Sequence, residues 1–205
     1  LGINQAVDSK YAISKLKGEA NVMKNFPTAT ILRPSIVYSV DDNFTTNFMT
    51  LLNLLPIFPL YYTGQTKFMP IHCSDLTDII YKIISNKIYS NIIECVGPEV
   101  LTFKEILKKL LKLIGKRRML LSLPLSIANL TAIFFQLLPK PLLTTDQLKL
   151  LRYDNILSGK YKTNSDIGVP ATKVFYDEVK KYSHMWREGG EFSTEKYKLK
   201  DNINN

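Results

Sequence analysis

Tyr11 and Lys15 are the two residues whose types and spacing most directly suggest chemistry. Side chains four positions apart share one face of an α-helix. A phenol with an ordinary pKa near ~10 exchanges protons poorly at neutral pH, but a neighbouring ammonium stabilises the phenolate. Such a pair can exchange a proton with a carbonyl or alcohol oxygen while hydride moves to or from a nicotinamide. The chain has 11 tyrosines, so the spacing alone also fits an ordinary surface pair.

A helix must present this pair, and the strands after it must hold the helix. Residues 9–25 have apolar side chains at helical spacing and predict a helix that Ser9 can cap. Residues 28–33 predict a short buried strand that ends at Pro34. Residues 36–38 continue in extended form. The pair is therefore expected on the first helix, directly before a buried strand.

The rest of the chain continues the alternation of helix and strand. We predict helices at 44–55, 74–86 and 102–115, with strands at 67–72 and 91–96. Beyond them we predict a short strand at 118–122 and helices at 124–138, 144–152 and 171–187. The alternation predicts the α/β class: the C-terminal half of a Rossmann-like parallel sheet, followed by a small and mostly helical substrate-side domain.

The composition is that of a globular protein with a basic surface. The 205 residues are 45% hydrophobic and 22% charged, which suffices for one ordinary domain or one and a half small ones. The formal net charge is +9, which suits an acidic protein, an anionic lipid surface or nucleic acid. No nucleic-acid-binding motif accompanies the charge, so we expect no nucleic acid partner. Cys73 and Cys95 match no metal-ligand spacing and predict free thiols in a reducing compartment.

Three parts are expected along the chain. Residues 1–115 form half of a dinucleotide-binding domain, 116–190 a small C-terminal domain, and 191–205 a flexible tail. The stretch Met119–Leu138 carries no charged residue and is long enough to raise the question of a transmembrane helix. Pro124 and several polar residues argue against a membrane span. A helix buried in the small domain, or one lying on a membrane surface, remains as the alternative.

Four motifs in order resemble those of the extended short-chain dehydrogenase/reductases. The first, S-x-Y-x-x-S-K-x-x-x-E, begins at Ser9. The second is the L-R-P-x-x-V-Y run that ends at Tyr38, and the third is the strand-to-helix junction from Phe68 to Asp75. The fourth is the G-P-x-x-x-T turn that begins at Gly97. Their order and spacing make the resemblance stronger than any single motif does.

Further stretches narrow the resemblance to an atypical subgroup of that superfamily. They are Gly97–Phe103, Leu138–Pro141, Thr144-x-Asp146-Gln-Leu-x-Leu-Leu151 and Asp154-Asn155. The subgroup contains the nucleotide-binding accessory subunit of respiratory complex I and bacterial relatives described as epimerases or dehydratases. The resemblance covers roughly residues 5–187. It implies a protein that binds NADP(H) or NAD(H) as a peripheral subunit or assembly factor. Its expected location is the matrix or cytoplasmic side, peripheral to the inner membrane.

The resemblance also assigns site residues. It implies that Tyr11 and Lys15 are the catalytic pair and bind the cofactor, and that Pro34, Ser35 and Ile36 contact the nicotinamide. The family's catalytic Ser or Thr and its glycine-rich phosphate loop would both precede Leu1. We therefore expect a fragment that holds half of the site and binds cofactor weakly or not at all by itself. The family's glycine after Val-Tyr is Ser39 here, which puts the geometry of that loop in doubt.

Three other residues have structural interpretations. We expect His72 to be hydrogen-bonded at a strand-to-helix junction, Asp75 to cap the following helix, and Arg33 to anchor a loop through a bidentate pair. The sequence names no partner for Arg33.

Two classes of function follow. One is an active oxidoreductase or nucleotide-sugar epimerase that uses Tyr11 and Lys15. The other is a non-catalytic subunit that holds the dinucleotide and docks on a membrane complex, which the basic surface and the uncharged 119–138 stretch favour. A basic membrane-peripheral module without cofactor is disfavoured by the four ordered motifs.

Overall fold

Helices alternate with short strands in the computed structural model, which describes residues 1–89, 91–122 and 145–193. The helices are α1 Lys10–Asn25, α2 Thr45–Leu54, α3 Cys73–Ser85, α4 Phe103–Ile114, α5 Thr145–Leu150 and α6 Phe175–Tyr182. The strands are β1 Ile31–Pro34, β2 Val37–Tyr38, β3 Ile57–Leu60, β4 Lys67–Phe68, β5 Ile71–His72, β6 Ile92–Cys95, β7 Leu101–Thr102, β8 Met119–Ser122 and β9 Lys162–Thr163. Short 3₁₀ turns occupy Tyr61–Gly64, Ser183–Trp186 and Gly190–Ser193. The predicted α/β class is confirmed.

Parallel pairing dominates the described strands. β6 lies between β1 and β9 in a three-stranded parallel sheet, with Arg33 opposite Glu94 and Glu94 opposite Thr163. β2 pairs with β5 and β3 pairs with β8, both in parallel. β4 and β7 form the antiparallel pair. Because the carboxyl ends of β1 and β6 meet at one edge, the loop after β1 lies beside the turn that begins at Gly97.

The single strand predicted at 67–72 is wrong, because this segment divides into β4 and β5, which belong to different sheets. Pro70 lies between them and has no N–H to donate to a ladder. The N–H of Met69 donates instead to the Ser35 hydroxyl at 3.2 Å. The chain therefore pairs with β7 through β4 and, two residues later, with β2 through β5. The two-residue strands β7 and β9 and the proline-containing β3 were not predicted, since such short runs carry little periodicity.

The ends of two helices differ from the prediction. α3 is capped by His72, whose Nδ1 accepts the Ser74 N–H at 3.3 Å, and not by Asp75. The last helix was predicted over 171–187, but α6 covers Phe175–Tyr182 and the chain then tightens into a 3₁₀ turn. The residues before α6 are extended, and Asp75 Oδ2 anchors them to α3 by accepting the N–H groups of Thr172 and Lys173 at 3.3 and 3.0 Å.

α4 confirms the predicted capping box. The Thr102 hydroxyl accepts the Glu105 N–H, and the Glu105 carboxylate accepts the Thr102 N–H in return. Gly115 ends the helix in the left-handed conformation, at φ 66°. Seven residues of α4 are buried, and they form the centre of the larger core with α2 and α6. Each buried aliphatic side chain contributes about 1.5–3 kcal/mol.

The smaller core packs Ile79 of α3 against strands β5 and β6. Its buried residues are Ile71, Ile79, Ile93 and Cys95. The predicted helix at 124–138, and nearly all of the predicted tail at 191–205, lie outside the described residues. Within the ranges that the structure describes, no helix is both long and apolar enough to cross a membrane.

The turn that begins at Gly97 generates a prediction about stability. An alanine Cβ at this position would lie 1.8 Å from the Pro70 carbonyl oxygen, a backbone atom. Gly97→Ala should therefore lower the free energy of unfolding by about 3 kcal/mol, measured by chemical denaturation. Gly18→Ala is the control, because its Cβ meets no atom within 4 Å and it lies inside α1. That variant should be neutral or slightly stabilising. Equal stabilities of the two variants would contradict the close approach at Gly97.

Candidate functional site

Tyr11 and Lys15 share one face of α1, as their spacing predicts. The Lys15 Nζ lies 5.4 Å from the centroid of the Tyr11 ring, within the range of a cation–π contact. Tyr11 is 53% exposed and Lys15 is also exposed. Both side chains are therefore accessible to a ligand that approaches the first two turns of the helix.

Tyr11 borders a cavity of about 450 Å³. The walls come from Leu1–Ile3 and Ala6, the linker after β1, the start of α2, and the five residues Leu150, Leu151 and Tyr153–Asn155. Ile36 from that linker, with Phe44, Phe48 and Phe68, gives the wall an apolar character. Asn43, Asn47 and Asn155 add amide groups to the lining. The volume is that of a small-molecule site, with mostly apolar walls and a few polar groups to orient a ligand.

The cavity has few charged groups. Among the described residues that line it, none is Lys, Arg or His, and the one carboxylate belongs to Asp154. The Asp154 Oδ1 accepts the N–H of Lys67 at 2.8 Å. Phosphate groups in proteins are generally held by Arg, Lys or clustered backbone N–H groups. This lining therefore suits a neutral ring better than a phosphate.

The three predicted residues of the nicotinamide loop have different surroundings. Ile36 lines the cavity together with Tyr11. Ser35 is buried, and its hydroxyl donates to Asn155 Oδ1 at 2.7 Å. Pro34 ends β1, and its carbonyl oxygen accepts the amino-terminal N–H of Leu1 at 3.0 Å. The structure thus brings Tyr11 and Ile36 to one cavity. The Ser35 hydroxyl does not line the cavity and instead anchors the loop to Asn155.

An ion pair joins the middle of α1 to β1. The Arg33 Nε and Nη2 donate to the two carboxylate oxygens of Glu19 at 3.0 and 2.6 Å, and the guanidinium lies 4.7 Å from the Tyr161 ring centroid. Both side chains of the pair are largely buried, with 8% of Arg33 and 19% of Glu19 exposed. The expected bidentate pairing of Arg33 is therefore present. Its partner is the glutamate of the same motif that contains Tyr11 and Lys15.

Asp146 from α5 caps the amino terminus of α1. Its Oδ1 accepts the Lys10 N–H at 2.8 Å, and its Oδ2 accepts the Tyr11 N–H at 3.0 Å and the Ser9 hydroxyl at 2.9 Å. The Ser9 hydroxyl in turn accepts the Ala12 N–H, which confirms Ser9 as the local cap. Sequence reasoning noted Asp146 only as part of a subgroup motif. Its position after Thr144-Thr145 gave no indication that it would cap a helix 135 residues earlier.

The charge of Asp146 depends on these donors. Desolvation raises the pKa of Asp146, but the hydrogen bonds from the N–H groups of Tyr11 and Lys10 and from Ser9 outweigh it, so the pKa is lowered. A carboxyl with a lowered folded-state pKa contributes stability above its unfolded pKa and loses it as pH falls through the folded value. The cap is therefore fully charged near neutral pH.

The remaining titratable residues singled out from the sequence have structural roles. His72 Nδ1 lies 2.7 Å from the Ser74 hydroxyl, and the ring packs edge-on against Tyr38, as expected for a junction histidine. Asp75 anchors the segment before α6 rather than capping α3. Cys73 and Cys95 are free, and burial raises the pKa of the Cys95 thiol to about 12. The described ranges contain no group of His, Cys, Asp and Glu that could hold a metal ion.

Relatives in sequence are subunits of one respiratory complex. The chain is 28% identical over 194 residues to the mitochondrial NADH dehydrogenase [ubiquinone] 1 alpha subcomplex subunit 9 of Dictyostelium discoideum, covering 90% of this chain and 52% of that protein. It is 24% identical to the mitochondrial NADH-ubiquinone oxidoreductase 40 kDa subunit of Neurospora crassa, covering 82% and 44%. The Arabidopsis thaliana subunit 9 is 24% identical, covering 93% and 50%. The chain thus spans about half the length of the curated relatives it matches. No family model matches it.

Two solved structures with a similar fold are nucleotide-sugar enzymes. The Streptomyces venezuelae dTDP-glucose 4,6-dehydratase, solved with NAD bound, aligns with a TM-score of 0.56 at 16% identity over 86% of this chain and 50% of its own. The Thermotoga maritima UDP-glucose 4-epimerase aligns with a TM-score of 0.59 at 13% identity over 84% of this chain and 52% of its own. The fold, with the relatives in sequence, fits the extended short-chain dehydrogenase/reductase superfamily that the motifs indicated.

The Glu19–Arg33 pair generates a prediction about how α1 is held. Glu19→Gln should lower the free energy of unfolding by about 3 kcal/mol, because it leaves a buried guanidinium without its counter-charge. Arg33→Lys should also destabilise the protein, since a single ammonium does not reproduce the two-pronged contact. Denaturant titration of both single variants and the double variant measures the coupling between the residues.

The surface pair Lys181–Glu178 is the control for this measurement. Lys181 is 65% exposed and its Nζ lies 2.6 Å from Glu178. Lys181→Ala should change the free energy of unfolding by less than about 0.5 kcal/mol. If Glu19→Gln lowers the free energy of unfolding by no more than Lys181→Ala does, the Glu19–Arg33 ion pair does not hold α1 to β1.

Proposed function

We propose that the chain forms about half of an NAD(P)-binding accessory subunit of respiratory complex I, peripheral to the membrane on the mitochondrial matrix side. The observation that carries the proposal is its sequence similarity to three mitochondrial complex I subunits over most of its length. The Tyr11–Lys15 pair beside a cavity supports the dinucleotide part of the proposal.

The residues present fit the nicotinamide half of such a cofactor. Reduced nicotinamide is a neutral planar ring, and the cavity next to Tyr11 is walled by Ile36 and aromatic side chains without a Lys, Arg or His among its described residues. Lys15, exposed on the same face of α1, would donate to ribose hydroxyls. The cofactor, NADP(H) or NAD(H), would supply hydride transfer. The adenosine diphosphate half would be held by other residues of the full-length protein.

The second proposal is an active oxidoreductase or nucleotide-sugar epimerase, with Tyr11 as the proton-exchanging group and Lys15 as its activator. The intact pair favours such an enzyme over an unrelated binding module. The described cavity lining disfavours a nucleotide-sugar, because its diphosphate would meet the Asp154 carboxylate and no cationic side chain there. A structural, dinucleotide-holding subunit therefore remains the main proposal.

A basic stripe on α4 supports docking on a protein partner. Lys104, Lys108 and Lys112 recur at intervals of four and therefore lie along one side of the helix, opposite its buried face. Arg117 extends the positive charge just beyond the helix. We propose that this basic stripe contacts an acidic surface of a complex I subunit. An anionic membrane surface is the alternative that the same charge would fit.

Variants of the pair test the cofactor proposal in the full-length protein. Lys15→Met should weaken NADPH binding by roughly ten- to a hundredfold, since a charge-assisted hydrogen bond contributes about 1.5–3 kcal/mol. Tyr11→Phe should have a smaller effect on binding and should leave the protein associated with complex I. Fluorescence titration with NADPH and fractionation of the respiratory complexes give the two readouts.

Lys24→Met is the matched control, because Lys24 lies exposed in the last turn of α1, away from the cavity. It should leave NADPH affinity unchanged. A full-length protein that remains outside complex I and turns over a carbonyl or sugar substrate, with activity lost in Tyr11→Phe, would contradict the structural-subunit proposal in favour of the enzyme.

Charge reversal tests the docking surface. A Lys104→Glu, Lys108→Glu, Lys112→Glu triple variant should weaken association with complex I and reduce the sensitivity of that association to salt, because each removed cation removes a screened attraction. Co-purification at increasing ionic strength measures both effects. The Lys82→Glu variant on α3 is a single-site control. Unchanged co-purification, together with lost binding to anionic vesicles, would identify a membrane as the partner instead.

A further inference from the structure

Residues 146–155, here called the clamp segment, contact the candidate cofactor site at several separate points. In the sequence, the segment comes after the uncharged stretch 119–138 and belongs to the predicted C-terminal domain. Its polar contacts nevertheless reach four places: the first turn of α1, the loop before α1, the linker that follows β1, and strand β4. Two of its motif residues, Asp154 and Asn155, are among the residues that narrowed the resemblance to a subgroup. In the structure, Asp146, Asp154 and Asn155 all make hydrogen bonds to elements that surround the candidate cofactor site.

The first point of contact is the amino terminus of α1. The first N–H groups of any helix lack partners within the helix, and they carry a partial positive charge. The Asp146 carboxylate accepts two of these N–H groups, from Lys10 and Tyr11 themselves, together with the Ser9 hydroxyl. The backbone of Tyr11 is therefore held directly by a side chain from the clamp segment.

The second point is Asp8, two residues before α1 begins. The Lys149 Nζ donates to the Asp8 carbonyl oxygen at 2.9 Å, and the Tyr153 hydroxyl donates to the Asp8 carboxylate at 3.1 Å. The Arg152 guanidinium lies 3.9 Å from the same carboxylate. These contacts fix the direction in which the chain enters α1.

The third point is the linker after β1, which carries Ile36 in the cavity lining. The Asn155 Oδ1 accepts the Ser35 hydroxyl, and its Nδ2 donates to the Leu1 carbonyl oxygen at 3.1 Å. The Asn155 N–H donates to the Lys67 carbonyl oxygen at 2.7 Å, and Asp154 accepts the Lys67 N–H in return. The linker that carries Ile36 is thereby tied to the same segment that holds the backbone of Tyr11.

We infer that the clamp segment sets the separation of Tyr11 from the Ile36 wall, and that Asp146 is a positioning residue for the nicotinamide half of the cofactor. The inference rests on the proposed function and deepens it. Displacements of about 1 Å at a binding group are enough to change its contribution strongly. Loss of the Asp146 carboxylate frees the first turn of α1, and with it the Tyr11 side chain, without touching the region that binds the adenosine half.

The test compares two ligands of the full-length protein. One is NADPH, or NADH if the wild type binds it more tightly, and the other is the matching ADP-ribose derivative, which lacks the nicotinamide ring. Asp146→Ala, which removes the acceptor of both N–H groups, should weaken binding of the complete dinucleotide roughly tenfold, consistent with the usual effect of losing a helix cap. It should leave affinity for the ADP-ribose derivative unchanged. Tyr153→Phe removes one hydrogen bond to Asp8. It should also weaken binding of the dinucleotide relative to the ADP-ribose derivative, but by a smaller factor.

Asp166→Ala is the matched control. The Asp166 carboxylate also accepts a backbone N–H and a hydroxyl, both from Thr163 at 2.8 Å, but it lies at the turn after β9. It should change neither affinity. Equal weakening of both ligands by Asp146→Ala, or no weakening of either, would overturn the positioning role in favour of a purely structural cap. A wild-type protein that binds neither ligand would instead refute the proposed function, and the positioning role with it.

Discussion

The arrangement of the site depends on how α1 is held, and α1 is held by polar contacts rather than by packing. Ala12 is the one residue of this 16-residue helix that is fully buried, whereas the 12-residue α4 buries seven. A helix with so little apolar burial gains little from the hydrophobic effect within this chain. Its position therefore follows from two charged contacts: the Asp146 carboxylate at its amino terminus and the Glu19–Arg33 pair at its middle.

These two contacts act on different parts of the site. The Glu19–Arg33 pair links α1 to β1, the strand that leads into the Pro34–Ile36 linker. The Asp146 contact links the Tyr11 turn to the clamp segment, which also reaches that linker through Asn155 and Ser35. Tyr11 and Ile36 are thus joined by two independent routes. The cavity between them is defined by hydrogen bonds between segments that lie more than a hundred residues apart.

The lining of the cavity agrees with the proposed role of holding the nicotinamide end of a dinucleotide. The cavity beside Tyr11 is mostly apolar and its described lining lacks cationic side chains, whereas two solved structures with a similar fold are a dTDP-glucose dehydratase and a UDP-glucose epimerase. The relatives in sequence are subunits of a respiratory complex. The Tyr11–Lys15 pair is compatible with both proposed classes, because an ammonium and a phenol placed to promote proton transfer would also be placed to donate hydrogen bonds to a bound cofactor. The functional proposal therefore rests on the relatives and on the cavity, and the pair by itself does not decide it.

Local sequence signals determined much of this protein. Helical periodicity and capping residues predicted α1 and α4, including the Thr102–Glu105 box, and the alternation of elements predicted the parallel α/β class. The spacing of Tyr11 and Lys15 determined that they share a face. The strand at 67–72 and the helix at 171–187 were misjudged, since Pro70 and the extended residues before α6 interrupt patterns that look continuous along the chain. Only the tertiary structure decided that Glu19 pairs with Arg33 and that Asp146 caps α1. Periodicity reports neighbours within about one or two helical turns, whereas these partners become neighbours only when the sheet and the clamp segment have assembled.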